Sequence, residues 1–273
     1  MKKVNVAVVG CGNISGIYLE NLTKRFRNVE VYAISDLIEE NTRTKSEQFG
    51  IQKIMTFQEI IKDPNVQIVL NLTTPPLHYE LSKQALEAGK NVYVEKPLSL
   101  NYEEGKELVA LAKGKGLLLG CAPDTFLGAG IQTCRHIIDG GVIGDIIGAT
   151  AFMVCHGHES WHPGPEFYYK KGGGPMFDMG PYYLNALVNL VGPVTSVAGM
   201  TAISFPTRKI TSQPKYGEEI QVEVPTHVNG LLHFRNGAIG NIITSFDVWD
   251  SVLPRIEIYG TRGSMLVPDP NGF

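Results

Sequence analysis

The first 120 residues alternate short apolar, β-branched runs with longer amphipathic ones, and this alternation limits the possible folds more than any other feature. Strands are predicted at Val4–Val9, Val29–Ser35, Ile51–Met55, Val66–Leu72, Asn91–Val94 and Leu117–Cys121. Helices are predicted between them, at Ile14–Phe26, Glu39–Phe49, Leu77–Ala88 and Tyr102–Lys113. Near-continuous apolar strands are typical of a parallel sheet covered on both faces, so residues 1–122 are predicted to form a doubly wound α/β domain.

The pattern changes after about residue 145, where strands predominate. They are predicted at Ile146–Cys155, Val194–Phe205, Gln221–Phe234, Ala238–Val248, Arg255–Tyr259 and Ser264–Val267, with one clear helix among them at Met179–Leu190. Asn236-Gly237 between two of the strands is a strong hairpin signal. Residues 123–273 are therefore predicted to form an α+β domain with a mostly antiparallel sheet, in which Thr207 to Glu219 is an exposed loop.

Composition narrows the function. The chain has 273 residues, 43% of them hydrophobic, which is enough for more than one core. A net charge of -3 and a pI near 6.2 argue against binding to nucleic acid or a membrane surface, since either favours a basic face. No apolar run approaches the ~20 residues of a membrane span. Four cysteines without CxxC spacing predict reduced thiols and a cytoplasmic protein.

The segment VAVVGCGNISG ends the first predicted strand and opens a helix, as in a Rossmann dinucleotide-binding domain. Gly10 would allow a tight turn and Gly12 the close approach of a pyrophosphate to the helix N-terminus. The third glycine position holds Ser15. A second strand ends at Asp36, where a carboxylate can accept hydrogen bonds from the adenosine ribose. The alternative is a structural turn followed by a solvated aspartate.

Asp36 also predicts which dinucleotide binds. Its carboxylate would repel a 2′-phosphate, and no arginine follows it directly, because Leu37 and Ile38 come next and Arg43 lies within the following helix. The sequence therefore favours NAD(H) over NADP(H).

Three segments, GCGNIS, TTPPLHYELSKQALEAGKNVYVEKP and GGGPMFDMGPYY, together resemble the Gfo/Idh/MocA oxidoreductases, and the resemblance covers nearly the whole chain. It implies a Rossmann domain followed by an open-faced sheet that builds a homo-oligomer interface. It also implies cofactor contacts from Asn13, Ile14, Thr73, Thr74, Pro75, His78, Glu95 and Lys96, with a cis peptide before Pro97. A surface histidine at position 78 and a surface ion pair between Glu95 and Lys96 are the plain alternatives.

The resemblance implies that Lys96 orients the reacting hydroxyl together with a D-x-G-x-H motif, in which an aspartate and a histidine lie one helical turn apart. Here Asp178 matches, but Tyr182 stands at the histidine position. A tyrosine, with a pKa near 10, can act as a base near neutral pH only beside a cation. Three bases remain open: a Lys96–Tyr182 pair, Lys96 itself, or a histidine from another loop.

The stretch CHGHESWHPGPEFYYKKGGGP suggests a sugar-facing wall, to which His158, Trp161 and Tyr169 are assigned as substrate-binding residues. The alternatives are a metal site formed by His156, His158 and His162, or a packed structural loop. Asp124 and Thr125 are assigned either to substrate hydroxyls or to the N-cap of a helix at Leu127–Ile138.

The sequence thus predicts an enzyme: an NAD(H)-dependent dehydrogenase or reductase acting on a secondary alcohol or ketone of a sugar or cyclitol. Two rivals are a non-catalytic dinucleotide or sugar sensor on the same scaffold and an NAD-dependent glycoside hydrolase. The chain ends at VPDPNGF, earlier than members of the resembling family generally do, which suggests a shortened second domain.

Overall fold

The computed structural model describes residues 3–272, and the chain divides into two compact units, Met1–Ala122 and Pro123–Phe273. Among residues 3–272, no helix is both long and apolar enough to cross a membrane. All four cysteines are free thiols.

The first unit is a five-stranded parallel sheet with the strand order β2-β1-β3-β4-β5. Its strands are β1 Val4–Val9, β2 Val29–Ser35, β3 Ile68–Asn71, β4 Asn91–Val94 and β5 Leu119–Cys121. Its helices are α1 Ser15–Glu20, continued as a π-helix at Asn21–Arg25, then α2 Glu39–Phe49, α3 Phe57–Lys62, α4 Pro75–Glu87 and α5 Tyr102–Lys115. The predicted α/β class is confirmed, and the crevice between β1 and β3 lies where the strand order reverses.

Alternate residues of β1 show why this sheet is covered on both faces. Val6 and Val8 pack into one buried apolar cluster, whereas Ala7 and Val9 pack into another. Successive side chains of a strand point to opposite faces, so helices must cover both faces to bury them all. This two-sided burial fixes the ends of the central strands, from which the candidate cofactor loops extend.

One predicted strand of this unit is wrong. Residues 51–55 contribute only an isolated bridge, in which Ile54 pairs with Ile34. A short helix, α3, follows, and the prediction missed it although its start carries a complete capping box between Thr56 and Glu59.

The second unit contains a six-stranded mixed sheet with the order β13-β12-β6-β11-β10-β7. Its strands are β6 Ile146–Val154, β7 Val194–Ala202, β10 His227–Phe234, β11 Ile239–Ser245, β12 Ile256–Gly260 and β13 Ser264–Val267; β8 Thr207–Lys209 and β9 Glu219–Gln221 form a separate pair. Its helices are α6 Ala129–Asp139, α7 Pro175–Asp178 and α8 Gly180–Val191, with short 3-10 turns at Thr125–Leu127 and Pro165–Tyr169. The hairpin at Asn236-Gly237 is confirmed, and only β6 and β11 run parallel.

The prediction of an exposed loop from Thr207 to Glu219 is wrong. Both ends of this segment form the β8–β9 hairpin, and Arg208 and Ile210 within it are buried. Polar composition misled the prediction, because a charged side chain that finds buried partners is not exposed. The predicted strand at Gln221–Phe234 is likewise two strands, β9 and β10.

Candidate active site

The turn after β1 has the shape that a pyrophosphate requires. Gly10 has φ +99, and a Cβ there would lie 2.6 Å from the carbonyl of Leu72, so only glycine fits. A Cβ on Gly12 would meet nothing within 4 Å, residues 12–14 are exposed, and no side chain caps the start of α1. Ser15 is buried and its hydroxyl donates to the carbonyl oxygen of Gly12 at 2.6 Å, which explains a serine at the third glycine position.

Asp36 lies at the end of β2 beside this turn. Its Oδ2 accepts a hydrogen bond from the backbone N–H of Cys11 at 2.7 Å, and its Oδ1 accepts one from that of Ile38 at 2.8 Å. These bonds hold the carboxylate against the glycine turn and leave it further lone pairs for a ligand. Burial, with a contribution from the Asp36 charge, raises the pKa of the Cys11 thiol to about 11.

His78 is not a surface histidine. It is 1% exposed, and its ring connects two loops, since Nε2 lies 2.9 Å from the carbonyl oxygen of Thr73 and Nδ1 lies 2.6 Å from that of Pro97. Both ring nitrogens are therefore engaged by the backbone. His78 thus connects two loops that are predicted to line the cofactor, and its own contact with the cofactor stays a prediction.

The end of β3 is organised by a buried asparagine that the prediction missed. Asn71 accepts hydrogen bonds from the hydroxyl of Thr73 at 2.7 Å and from its backbone N–H at 3.2 Å, and its own amide donates to the carbonyl oxygen of His78. Thr74 then takes the N-cap position of α4, and Pro75 opens the helix. These contacts fix the loop predicted to line the cofactor.

Glu95 and Lys96 follow β4 directly. The Glu95 carboxylate accepts hydrogen bonds from the hydroxyl of Tyr18 and from the backbone N–H of Lys96, each at 2.8 Å. The peptide between Lys96 and Pro97 is cis, as the family resemblance implied. Glu95 therefore links the end of β4 to α1. The predicted cofactor residues lie at the carboxyl ends of β1 to β4 or in the segments that follow, except for Pro75 and His78, which lie in the first turn of α4. The site fits a dinucleotide.

In the second unit, aromatic and polar side chains surround Asp178 at the end of α7. The Nε2 of His158 lies 3.5 Å from Asp178 Oδ2, and the His158 ring packs against Tyr168 with centroids 4.1 Å apart. Trp161 meets the His158 ring edge-on at 5.3 Å and is 61% exposed. Burial, with the nearby charges of Asp178 and Tyr182, raises the pKa of the Tyr168 hydroxyl well above its ordinary value.

The glycines before α7 bring this cluster together. A Cβ on Gly173 would lie 2.4 Å from the carbonyl oxygen of Phe167, so the backbone approaches too closely for any side chain. Gly174 has φ +85, and its N–H donates to the carbonyl oxygen of Tyr168 at 2.6 Å. These contacts bring Tyr168 and Asp178 close together.

Tyr169 requires a correction. It is fully buried, and its hydroxyl donates to Glu159 instead of facing the cluster; the neighbouring Tyr168 lies there in its place. Glu159 is also paired with Arg208, whose Nε donates to Oε1 at 2.7 Å. Arg208 further contacts Asp247 at 3.1 Å. The prediction missed this buried network.

Asp124 and Thr125 do not cap a long helix. Helix α6 begins at Ala129 with Gly128 as its N-cap, and the Asp124 side chain makes no cap hydrogen bond to the 3-10 turn that it precedes. The Thr125 hydroxyl is buried and has no hydrogen-bond partner among the described residues.

The three histidines of the loop do not converge on one point. The His156 ring stacks on Trp249 with centroids 3.4 Å apart, while His158 faces Asp178. Within residues 3–272, no three His, Cys, Asp or Glu side chains are grouped so as to hold a metal ion.

Comparison with known proteins matches both units to one family. Residues 4–122 match its oxidoreductase domain with an NAD-binding Rossmann fold, and residues 131–266 match the GFO/IDH/MocA C-terminal domain. The myo-inositol 2-dehydrogenase of Thermotoga maritima is 27% identical over 263 residues, which are 95% of this chain and 74% of that enzyme.

Solved structures show the same fold. A levoglucosan dehydrogenase in complex with NADH and L-sorbose aligns with a TM-score of 0.82 at 23% identity, over 96% of this chain and 72% of that one. The WlbA dehydrogenase from Bordetella pertussis, in complex with NADH and UDP-GlcNAcA, aligns with a TM-score of 0.81 at 23% identity, over 96% of this chain and 73% of that one.

Proposed function

Because the chain belongs to the GFO/IDH/MocA family of NAD-binding oxidoreductases and is a dehydrogenase acting on CH–OH groups, we propose that its substrate is a sugar or cyclitol. One observation carries the proposal. The imidazole of His158 and the phenols of Tyr168 and Tyr182 lie near the Asp178 carboxylate, and the exposed ring of Trp161 contacts His158. Polar groups of this kind hydrogen-bond to hydroxyls, and a flat ring covers the apolar face of a sugar. The similarity to a myo-inositol 2-dehydrogenase supports the same substrate class.

The cofactor is NAD(H) in preference to NADP(H). The Asp36 carboxylate is held at the end of β2 by two backbone N–H groups, and it would repel a 2′-phosphate there. The guanidinium of Arg43, the first arginine after Asp36, is paired with Glu40. Gly10, Gly12, Asn13 and Ile14 would hold the pyrophosphate, and the loops at Thr73–Pro75 and Glu95–Lys96 the nicotinamide half.

When bound, NAD(H) would supply hydride transfer to or from the substrate carbon that carries the oxygen. The chain's own groups would handle the oxygen and its proton. In the first unit, Lys96 would orient a reacting hydroxyl and favour its ionisation through its positive charge. In the second unit, Asp178 and Tyr182 could hydrogen-bond to a substrate oxygen. His158 would contact a substrate hydroxyl, and Asp124, Thr125 and Trp161 would contact the remaining hydroxyls and the ring. Tyr169 serves the site indirectly, by holding Glu159.

The experiment that tests this function has two stages. Calorimetric titration with NADH and NADPH measures the affinity of the chain for each dinucleotide, and tighter NADH binding is expected. A panel of myo-inositol, D-xylose and levoglucosan is then assayed with NAD for NADH formation, and product sugar is measured from glycosides. Binding of a panel member without turnover would favour a sensor, and hydrolysis without net NADH a glycoside hydrolase.

Assembly and location belong to the same proposal. The sheet of the second unit exposes large apolar side chains on one face of strands β7, β10 and β11, namely Met200, Leu231 and Ile239. Exposed apolar surface of this kind marks an interaction site, and a second copy of the chain is the proposed occupant. Light scattering should show an oligomer that Leu231→Lys reduces to a monomer. The four free thiols support a cytoplasmic location.

A further inference from the structure

One buried polar atom of the second unit lacks a partner and faces a carboxylate. His158 is 9% exposed, and its Nε2 has no hydrogen-bond partner among the described residues. The carboxylate oxygen Oδ2 of Asp178 lies 3.5 Å from it, which is too far for a well-formed hydrogen bond. A buried nitrogen in this state costs free energy unless a ligand or the carboxylate satisfies it.

The chain holds this imidazole rigidly. Its ring packs against Tyr168, with centroids 4.1 Å apart, and against Phe246, at 4.6 Å. The next residue, Glu159, is clamped by Arg208 through its carboxylate, and its carbonyl oxygen accepts hydrogen bonds from two N–H groups of the segment after β8. These contacts restrict the movement of the ring beside Asp178.

The other titratable groups around Asp178 are poorly suited to take a proton near neutral pH. Burial raises the pKa of the Tyr168 hydroxyl above the value near 10 of a free phenol. His162 has its Nδ1 engaged by the backbone N–H of Gly164, and burial lowers its pKa. His156 stacks on Trp249, and Glu159 faces Arg208. His158 is the imidazole that faces the carboxylate.

We propose that His158, paired with Asp178, is the proton acceptor and donor for the reacting hydroxyl; this inference rests on the proposed dehydrogenase function. During oxidation, the substrate O–H proton passes to Nε2 of His158, and the C–H bond breaks with its electron pair leaving as hydride to NAD. The C–O bond becomes a C=O bond, and the products are the ketone, NADH and a protonated imidazole stabilised by Asp178. Reduction follows the same steps backwards. The histidine absent from α8 is thus supplied by the loop after β6.

The test compares His158→Ala with His156→Asn, a matched variant on the same loop whose ring stacks on Trp249. His158→Ala should bind NADH normally by calorimetry and lose about 10²- to 10⁴-fold in kcat on the panel member that the wild type oxidises. Added imidazole should restore part of that loss. His156→Asn should stay near the wild-type rate. An active wild type with unchanged kcat in His158→Ala overturns the role of His158 and leaves the dehydrogenase function standing.

A second readout needs neither cofactor nor turnover. The side-chain nitrogen resonances of isotope-labelled histidine are recorded while myo-inositol, D-xylose or levoglucosan is added. The Nε2 signal of His158 should shift on addition of a ligand and in Asp178→Asn, whereas that of His136, at the far end of α6, should not. If His158 is unresponsive to Asp178→Asn and to every panel sugar, including any that the wild type oxidises, the proposal fails. Inactivity of the wild type on the whole panel with a responding His158 would count against the proposed substrates alone.

Discussion

Arg208 and Glu159 form an ion pair that is almost completely excluded from water, with Arg208 4% and Glu159 9% exposed in their side chains. The same guanidinium contacts Asp247 and the carbonyl oxygens of His156 and Phe246, so its donors are well used. A buried charge is tolerated when such partners surround it, and removal of one partner leaves the others uncompensated.

We therefore expect Arg208→Met to lower the free energy of unfolding of the second unit by about 3–5 kcal/mol. Both tryptophans, Trp161 and Trp249, lie in this unit, so urea unfolding followed by tryptophan fluorescence reports on it. The control is Glu223→Gln, which breaks the exposed pair with Lys170 and should cost about 0–1 kcal/mol. Equal effects of the two substitutions would contradict the importance of the buried pair.

The two glycines after β1 should respond differently to alanine. Gly10→Ala forces a Cβ to within 2.6 Å of the Leu72 carbonyl at positive φ, so we expect the free energy of unfolding to fall by about 1–3 kcal/mol. NADH binding should be lost as well, because the turn is distorted. Gly12→Ala meets no neighbouring atom, so the melting temperature should not change, while NADH affinity falls because the methyl group occupies the pyrophosphate's approach. Unchanged NADH affinity in Gly12→Ala would place the pyrophosphate elsewhere.

Local patterns in the sequence predicted much of the fold. The strands Val4–Val9 and Asn91–Val94 and the helix Glu39–Phe49 have their predicted bounds, because apolar periodicity and turn residues are encoded locally. The strand predicted at Ile51–Met55 does not form, because Ile54 makes only an isolated bridge to β2 and an isolated bridge is not a strand. A strand depends on its partner, which the segment's own residues do not reveal.

The site was predicted less completely, because its key contacts join distant segments. Arg208 stands 49 residues from Glu159 and 39 from Asp247, and in the sequence it appears as one charge within a polar stretch. His158 was singled out by its aromatic surroundings, but its approach to Asp178 depends on the glycine contacts before α7. Residue types predicted the chemistry, whereas the pairing of those residues required the fold.

Asp36→Asn tests the choice of dinucleotide. The substitution keeps an acceptor for the Cys11 N–H and removes the negative charge that would face a 2′-phosphate. The ratio of NADPH to NADH affinity should rise about tenfold, which corresponds to ~1.4 kcal/mol. Calorimetric titration of the wild type and of Asp36→Asn with NADH and with NADPH measures this ratio. An unchanged ratio would show that the carboxylate does not select the cofactor.

The Cys11 thiol predicts a dependence of stability on alkaline pH. Burial raises its pKa from 9.0 to about 11, so over this range the native state keeps a proton that the unfolded state has lost. Because the native state binds more protons, stability falls as pH rises from 9 towards 11. Cys11→Ala should therefore show a shallower loss of unfolding free energy over this range, followed by urea and circular dichroism. Parallel curves for the two proteins would refute the assignment.

Lys96→Ala separates cofactor binding from chemistry. The Glu95 carboxylate accepts from the backbone N–H of Lys96, so truncation of the side chain keeps the turn after β4 and, with it, NADH affinity. Turnover should fall about 10²- to 10⁴-fold, because the hydroxyl loses the cation that favours its ionisation. Lys106→Ala, which removes an exposed lysine on α5, is the control and should leave both quantities unchanged. Wild-type turnover in Lys96→Ala would show that Lys96 has no part in the mechanism. Only groups of the second unit would then be candidates for proton transfer.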